Sequence, residues 1–300
     1  MTRSFSAEVK SELCALPFGR ECCRRAELYG FLLLAGQFDR TGIRLATEHA
    51  EAAARFARLL YLVCGVEAAV SAGGSGEGKL YTVSAEGEEA RAAAEFFGRD
   101  RQSVALRCDI SQIENECCAA AFLRGAFLSA GSINSPETGY HLELVTPHMK
   151  LAGDLVALIR AYYFEPRTLM RKQNCVIYFK DSSEIEDLLT TLGAQRSVLE
   201  IMSVKVYKDI RNNTNRIVNC ETANLKKTVG AAARQCEAIE KLERAGVLSR
   251  LPDELQETAK LRRENPECSL LELVDKLQGK LTRSGLNHRL QKLIAEAERL

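Results

Sequence analysis

Two stretches of the chain have nearly the same sequence: CCRRAELYGFLLLAGQF at residues 22–38 and CCAAAFLRGAFLSAGSI at residues 117–133. When residue 22 is aligned with residue 117, a Cys-Cys pair, a Leu-x-Gly triplet and an Ala-Gly pair occupy the same columns. Internal similarity of this kind is typical of a duplicated structural unit. The elements that follow each copy should therefore occur in the same order.

The patterns after the two copies do predict the same order of elements. Alternating apolar residues predict strands at 43–49, 66–71, 79–85, 140–146, 166–172 and 175–181. Helical spacing predicts helices at about 48–64, 86–97, 149–163 and 182–193. A glycine-rich turn is expected at 72–78 and a hairpin turn at Gln173-Asn174. Ser182 or Ser183 is the expected N-cap of the last helix, and Gly193 its end.

Each copy is thus predicted to form an α-β-β-α-β-β-α lobe, with repeats at about 21–98 and 115–195. In the second copy Ala121, Gly125 and Ser129 lie on one face of the predicted helix. The first copy has small residues in the first two of these columns and Leu34 in the third. Such a stripe lets two helix backbones approach more closely than the usual 8–10 Å between axes. We therefore expect the two duplicated helices to pack against each other.

This pattern resembles the LAGLIDADG homing-endonuclease fold over roughly residues 20–195. The resemblance implies two helices paired at a pseudo-twofold axis and two four-stranded sheets that form a saddle across DNA. It also implies an acid before the final glycine of each motif, where the two acids hold a divalent metal for phosphodiester cleavage. Ala35 and Ala130 occupy those positions. A methyl group offers no oxygen to a hard cation, so the motif is expected to serve packing without cleavage.

Other acids near the duplicated motif fall in different columns, and we expect them to point elsewhere. They are Glu27, Asp39, Glu114 and Glu116. A metal-dependent nuclease that uses displaced carboxylates stays open as a remote alternative.

The cysteines and histidines do not show the spacing of a metal site. The chain has 11 cysteines, an odd number, with two adjacent pairs and no preceding secretory signal, which favours reduced thiols in a cytosolic protein. There is no Cys-x-x-Cys, and the four histidines are scattered. We therefore predict no metal and no cofactor. No apolar run reaches the 18 or so residues of a membrane helix, so no membrane partner is expected.

Charge is distributed unevenly along the chain. The net charge is +1 overall, but from Asp209 onward there are 17 Lys/Arg against 14 Asp/Glu. Any site for a polyanion is therefore expected in the C-terminal third, as a local patch. Residues 206–222 are polar, Asn-rich and basic, which predicts a linker that enters a helix near Glu221. That helix is expected to end near Gly246, and a second helix to follow between Pro252 and Pro266.

The last 35 residues have the pattern of a helix-turn-helix. Ser269 and Glu272 form a capping-box pattern at the start of one helix, which is expected to stop at Gly279. A second helix is expected to start near Thr282 or Ser284, with an apolar face that includes Leu286, Leu290 and Leu293. The second helix of such a motif lies in the DNA major groove.

Basic residues without any acid occupy the expected contact region. From Lys276 to Lys292 the sequence has five Lys/Arg, one His and no Asp or Glu. Side chains of these types bind phosphates and base edges, although an ordinary solvated face is the alternative. The predicted DNA-binding residues are Lys280, Thr282, Arg283, Ser284, Asn287, His288, Arg289 and Lys292. Contacts to the DNA backbone are also predicted for Arg211, Asn212, Arg216, Lys226 and Lys227.

Four segments of the sequence, taken together, resemble the WhiA family of bacterial regulators, and they are spread across essentially the whole chain. They are FSAEVKSELC (5–14), CCRRAEL (22–28), NRIVNCETANLKKT (215–228) and SGLNHRLQKL (284–293). The resemblance implies a DNA-binding transcription regulator of sporulation, or of cell division and chromosome segregation, without nuclease activity. It implies double-stranded promoter DNA as a partner, with a WhiB-type regulator or RNA polymerase beside it, and no small-molecule substrate. A cytoplasmic, nucleoid-associated location follows.

The predicted fold is thus α+β in two LAGLIDADG-type lobes, followed by an all-α helix-turn-helix domain. The expected organisation is a helical lead-in at 1–20, the lobe pair at 21–205, the basic linker at 206–222 and the DNA-binding domain at 223–300, with the helix-turn-helix at about 269–298. A third class of function stays open: a protein-docking adaptor of the division machinery, for which DNA binding is secondary. The near-neutral lobes favour it, because a surface that grips DNA usually has a basic lining.

Overall fold

The computed structural model of the chain describes residues 3–74, 79–99, 105–277 and 280–300. These residues form two compact units, Met1–Tyr207 and Lys208–Leu300. Each unit has its own hydrophobic core. Part of the predicted glycine-rich turn (75–78) and the predicted helix stop at Gly279 lie outside the described residues.

The first unit contains the two lobes in the predicted order. After α1 (Phe5–Ala15), the first lobe comprises α2 (Glu21–Leu33), β1 (Gln37–Phe38), β2 (Gly42–Thr47), α3 (Ala50–Cys64), β3 (Ala69–Gly73), β4 (Leu80–Glu86) and α4 (Gly87–Phe96). The second lobe comprises α5 (Glu116–Ala130), β5 (Gly131–Ile133), β6 (Leu142–Thr146), α6 (Met149–Ala161), β7 (Arg167–Arg171), β8 (Asn174–Phe179) and α7 (Ser182–Leu192). The α-β-β-α-β-β-α prediction is confirmed in both lobes.

The two sheets have the same topology. Their strand orders are β1-β2-β4-β3 and β5-β6-β8-β7, and all the pairings within them are antiparallel. In β6 the burial alternates along the strand, with Leu142 and Leu144 facing the core and Glu143 on the other face. Alternation of this kind leaves one face of each sheet free of the core.

The duplicated helices α2 and α5 pack with their backbones in direct contact. A Cβ atom added at Gly30 would overlap the carbonyl oxygen of Phe122, and one added at Gly125 would overlap the carbonyl oxygen of Glu27. Across the same contact, the hydroxyl of Ser129 donates a hydrogen bond to the carbonyl oxygen of Phe31, at 3.1 Å. The small-residue stripe therefore has the packing role that the sequence predicted.

Two local details of the second lobe differ from the sequence prediction. The N-cap of α7 is Asp181, whose carboxylate accepts from the backbone N–H groups of Ser183 and Glu184, so neither predicted serine caps the helix. A carboxylate is as good a cap as a hydroxyl, and Asp181 lies one residue nearer to the strand. The hairpin turn falls at Lys172-Gln173, one residue earlier than predicted, with Lys172 in the left-handed conformation at φ 56°. Gly193 ends α7 as predicted, with φ 100°.

Residues 206–222 are helical, so the predicted non-helical linker is wrong as local structure. They lie inside α8, which runs from Gln195 to Arg244 and so ends close to the predicted position. No proline or glycine interrupts residues 194–229. Asparagine costs an exposed helix less than about 0.7 kcal/mol relative to alanine, which does not stop a helix that is otherwise continuous.

The second unit contains the helices predicted for the C-terminal third. The described helices that follow α8 are α9 (Asp253–Glu264), α10 (Leu270–Lys276) and α11 (Arg283–Glu298). Their shared core includes Leu242 of α8, Ala259 of α9, Leu273 of α10 and Leu290 of α11, each almost fully buried. Among the described residues, no helix has both the length and the apolar character that crossing a membrane requires.

The glycine contact predicts opposite effects of the same substitution at two helical glycines. Gly30→Ala should lower the free energy of unfolding by about 2 kcal/mol or more, because the new methyl group forces two backbones apart. Gly153→Ala is the control. This glycine lies on the exposed side of α6 with nothing within 4 Å of its added Cβ, and the change should raise stability by about 0.5–1 kcal/mol. Urea denaturation of both variants measures the difference, and equal stabilities would contradict the close contact.

Candidate nucleic-acid interface

The start of α10 is held by the predicted capping box. The backbone N–H of Glu272 donates to the hydroxyl of Ser269 at 3.3 Å, and the backbone N–H of Ser269 donates to the carboxylate of Glu272 at 2.6 Å. The hydrogen bond from the Ser269 backbone N–H to the carboxylate holds the pKa of Glu272 below its ordinary value. The capping box therefore fixes where α10 begins.

A buried arginine holds the connection from α9 to α10. Arg262 is only 2% exposed, and its guanidinium donates to the carbonyl oxygens of Cys268, at 2.6 Å, and Asn265, at 3.3 Å. Both carbonyls belong to the turn that follows α9. Because the guanidinium is buried and bonds to two carbonyls of this turn, it holds the turn that leads into α10.

The predicted second helix of the motif, α11, starts at the predicted position. Thr282 is its N-cap, and the hydroxyl of Thr282 accepts from the backbone N–H of Gly285 at 3.1 Å. Leu286, Leu290 and Leu293 face the core as predicted, each 1% exposed or less. The opposite face of the first turns is therefore turned to solvent.

Most of the predicted DNA-binding residues lie on that solvent face or directly before α11. The exposed ones are Lys280, Thr282, Arg283, Ser284, Asn287, His288 and Lys292. Arg289 differs from them, since its side chain is only 24% exposed and pairs with Glu254 of α9 at 2.9 Å. Its guanidinium therefore bridges α9 and α11 instead of standing free in solvent.

The second set of predicted contacts lies on α8. Arg211, Asn212, Arg216, Lys226 and Lys227 are all exposed. Lys227 and Arg283 line the same cleft, of about 400 Å³, together with Ser269 and Arg262. The fold of the second unit thus brings one basic residue of α8 next to the first turn of α11. The other four lie at exposed positions along α8.

The positions that hold metal in a LAGLIDADG nuclease contain no ligand oxygen from a side chain. Ala35 follows α2 and Ala130 is the last residue of α5, and both are partly buried. Glu116 is the first residue of α5, so it lies about 20 Å along the helix from Ala130. Glu114 precedes it and is also distant from Ala130.

The remaining two acids near the motif have structural partners. Glu27 is 2% exposed, and its carboxylate accepts hydrogen bonds from Arg55 of α3 and Arg124 of α5. Asp39 accepts from the backbone N–H groups of Thr41 and Gly42. Burial alone would raise the pKa of Asp39, but these bonds hold it below its ordinary value. Both carboxylates are thus used within the lobes.

Sequence reasoning missed a group of four cysteines in the first unit. The sulfur atoms of Cys22, Cys23, Cys117 and Cys118 all lie within 4.8 Å of one another. The signal was present in the sequence, because both Cys-Cys pairs occupy the same columns of the duplicated segment. A search for ligand spacing along the chain does not find residues that a pseudo-twofold axis brings together.

The fold and the site together define a class of protein that joins a LAGLIDADG-like lobe pair, without the acidic metal ligands, to a C-terminal helix-turn-helix. Residues 214–297 match the family model "WhiA C-terminal HTH domain", and residues 119–211 match "WhiA LAGLIDADG-like domain".

Whole-length relatives give the same result. Proteins named "Probable cell division protein WhiA" are 36% identical in Alkaliphilus metalliredigens and 38% identical in Oceanobacillus iheyensis, and each alignment covers 99% of this chain and 98% of the relative. The crystal structure of full-length DUF199/WhiA from Thermotoga maritima is 28% identical, with a TM-score of 0.61 and 99% of both chains covered. The chain therefore belongs to the WhiA family.

Two serines of the helix-turn-helix should differ in their effect on stability. Ser269→Ala removes the capping-box hydroxyl, so we expect the unfolding free energy of the second unit to fall by about 1 kcal/mol. Ser284→Ala changes an exposed residue in the first turn of α11 and should alter stability by less than about 0.5 kcal/mol. Thermal unfolding measures both effects. A larger loss of stability for Ser284→Ala than for Ser269→Ala would contradict the capping box.

Proposed function

We propose that this protein is a DNA-binding regulator of cell division that reads DNA with α11 and does not cut it. The observation that carries the proposal is the solvent face of α11. Its first turns present Arg283, Asn287 and His288, while the apolar face is buried in the helix-turn-helix core. The name of the relatives, cell division protein, supports cell division as the process in which the regulator acts.

The exposed side chains divide into two kinds of contact. Arg283 and Asn287 lie in the first turns of α11, which a helix-turn-helix inserts into the major groove. Arginine pairs with the O6 and N7 atoms of guanine, and asparagine pairs with the N6 and N7 atoms of adenine. We assign base reading to these two residues and leave His288 as a contact to phosphate or to solvent.

Phosphate contacts come from the residues around this pair. Lys280 precedes α11, and Lys292 lies more than two turns after the start of the helix at Arg283. The two ammonium groups therefore flank the base-reading residues. Thr282 and Ser284 add hydroxyls beside the helix N-terminus, whose partial positive charge favours a phosphate. Lys227 extends the basic surface through the cleft that it shares with Arg283.

The other α8 residues, Arg211, Asn212, Arg216 and Lys226, are proposed as weaker contacts to the DNA backbone. Arg289 acts differently in this proposal. Its pairing with Glu254 holds α11 against α9, so it positions the reading helix.

The finer biological role follows from the family resemblance. We propose sequence-specific regulation of transcription at promoters, with sporulation or chromosome segregation as the processes linked to division. A WhiB-type regulator or RNA polymerase is the proposed protein partner. A nucleoid-associated location in the cytoplasm follows from DNA as the ligand.

A protein-docking role for the lobes is the second candidate, and it is supported by the charges of the second sheet. On β6, Glu143 accepts hydrogen bonds from Arg171 of β7 and contacts His141. The hydrogen bond from Arg171 holds the pKa of Glu143 below its ordinary value, so the carboxylate is ionised at neutral pH. An ionised acid that neutralises a neighbouring arginine is unfavourable on a surface that binds DNA.

The base-reading assignment predicts site-dependent losses of affinity. Arg283→Ala and Asn287→Ala should each weaken binding by about 1–3 kcal/mol to duplexes that the wild-type protein selects from a random pool. Arg234→Ala is the matched control. Arg234 is an exposed arginine of α8 that lies beside the C-terminal end of α11, away from its first turns. It should change affinity by less than about 0.5 kcal/mol.

Fluorescence anisotropy at several salt concentrations measures these affinities. Affinity should fall steeply as salt rises, because phosphate contacts release counterions. Unchanged binding of both α11 variants at moderate salt would remove the proposal.

The absence of cleavage can be tested directly. Supercoiled plasmid incubated with the full-length protein and Mg²⁺ or Mn²⁺ should stay intact, because the methyl groups of Ala35 and Ala130 replace both metal-binding carboxylates. Gel electrophoresis detects nicked and linear products. Sustained cutting that disappears in an Asp39→Asn variant would establish the nuclease instead.

The docking role of the lobes has its own test. Residues 1–205 should not be retained on immobilised duplex DNA under conditions in which the full chain is retained. Retention of both to the same extent would show that the lobes grip DNA themselves.

A further inference from the structure

Four cysteine sulfurs converge in the first unit, at the N-terminal ends of α2 and α5. Cys22 and Cys23 directly follow the first residue of α2, and Cys117 and Cys118 directly follow the first residue of α5. All four sulfur atoms lie within 4.8 Å of one another. Cysteines are rare enough that four sulfurs in one place need a cause in the fold.

The cause is the close contact between the two duplicated helices. Gly30 and Gly125 hold the backbones of α2 and α5 together, and each Cys-Cys pair lies two turns before its glycine. The thiol of Cys23 donates to the carbonyl oxygen of Cys117 at 3.7 Å, a hydrogen bond between the two helices. The positions of the sulfurs are thus set by the core of the lobe pair and not by a flexible loop.

The separations suit a tetrahedral metal ion with four sulfur ligands. Zinc bound by four thiolates has Zn–S distances of about 2.3 Å, which places the sulfurs about 3.8 Å apart. Because the four sulfur atoms already lie within 4.8 Å of one another, side-chain movements of only about 1 Å would bring them to that geometry. Thiolate ligands select zinc and other soft metals over Mg²⁺ and Ca²⁺, which prefer oxygen.

The surroundings of the four sulfurs fit an anionic metal site. The N-terminus of a helix carries partial positive charge, and here two helix N-termini meet at the thiols. A zinc ion with four thiolates has a net charge of −2. The two helix N-termini partly offset this negative charge, as do Arg24 and Arg25, which line the same cleft as Cys22 and Cys118. The amide Nδ2 of Asn115 points at the sulfur of Cys118, at 4.0 Å, as an outer-shell donor does.

A metal ion can reach the sulfurs from solvent. Cys22 and Cys118 line a cleft of about 790 Å³, together with Arg24, Arg25 and Gln112. Cys118 is buried and Cys117 is exposed, so the group lies at the boundary between the core and the surface. None of the 11 cysteines forms a disulfide in the structure, and all four sulfurs are available as thiols.

We propose that Cys22, Cys23, Cys117 and Cys118 form a structural zinc site that joins the two lobes at their pseudo-twofold axis. Four protein ligands leave no open position for a substrate, which is typical of structural and not catalytic zinc. The site adds a metal cross-link between α2 and α5 to the glycine contact and the hydrogen bonds that already join the two helices. The proposal replaces the expectation from spacing along the chain that the protein binds no metal.

Thiol protection tests the proposal on the unaltered full-length protein. Cys117 and Cys220 are both exposed, so both should react with iodoacetamide in the metal-free protein. Zinc should slow alkylation of Cys117 at least about ten-fold and leave Cys220 unchanged, and magnesium should protect neither. Peptide mass spectrometry reads the two sites in the same sample. Equal rates at Cys117 with and without zinc would overturn the proposal.

Metal content and spectroscopy give an independent result. Protein without a histidine tag should hold one zinc per chain by elemental analysis, and Co²⁺ in its place should show thiolate charge-transfer absorption and the intense visible bands of a tetrahedral site. Cys117→Ser should lose both properties, whereas Cys220→Ser, the matched control, should keep them. Zinc content that is the same in all three proteins would contradict the site.

The structural role has a separate readout. In the wild-type full-length protein, a chelator should lower the Tm at which the first unit unfolds by about 10 °C, because a tightly bound ligand of the folded state is removed. It should not change the Tm of Cys117→Ser, whose secondary structure is checked by circular dichroism. A disulfide that joins Cys22 or Cys23 to Cys117 or Cys118 in protein from freshly lysed cells kept under reducing conditions would also overturn the proposal. It would leave too few thiolates for the metal.

Discussion

The architecture of the lobe pair depends on one constraint, the backbone contact between α2 and α5. Gly30 and Gly125 have no room for a Cβ atom, because each faces the carbonyl oxygen of a residue on the other helix. This contact relates the two lobes by a pseudo-twofold axis. It also determines which residues of one copy meet their counterparts in the other. The pairing of Glu27 with Arg124 and the convergence of the four cysteines both follow from it.

The same constraint explains how a nuclease fold can persist without nuclease residues. The small residues of the motif serve packing, so Gly30, Gly125 and Ser129 are required by the fold whatever the chemistry. Ala35 and Ala130 show that the packing does not need an acid at either position. In our account recognition of DNA has moved to a separate unit with its own core, where α11 presents its reading face.

The sequence was most informative where patterns are local. Alternation in the strands, helical periodicity, the Ser269–Glu272 capping box and the turn at Gly193 all predicted elements that the structure confirms. It was misleading over residues 206–222, where Asn-rich composition suggested a linker and the absence of Pro and Gly lets α8 continue. Two long-range features could not be read from spacing: the pairing of Arg289 with Glu254, and the meeting of two Cys-Cys pairs across the helix contact. Both depend on how elements pack.

The most direct test of the central claim is photo-cross-linking from modified bases in a selected duplex to the full-length protein, with the linked peptides identified by mass spectrometry. The account predicts that cross-links fall within residues 280–292, at the start of α11, because these side chains reach base edges in the major groove. Cross-links concentrated within residues 37–86 and 131–179, the segments that contain the strands of the two sheets, would contradict it. In that case the lobes would still hold DNA as a LAGLIDADG saddle does.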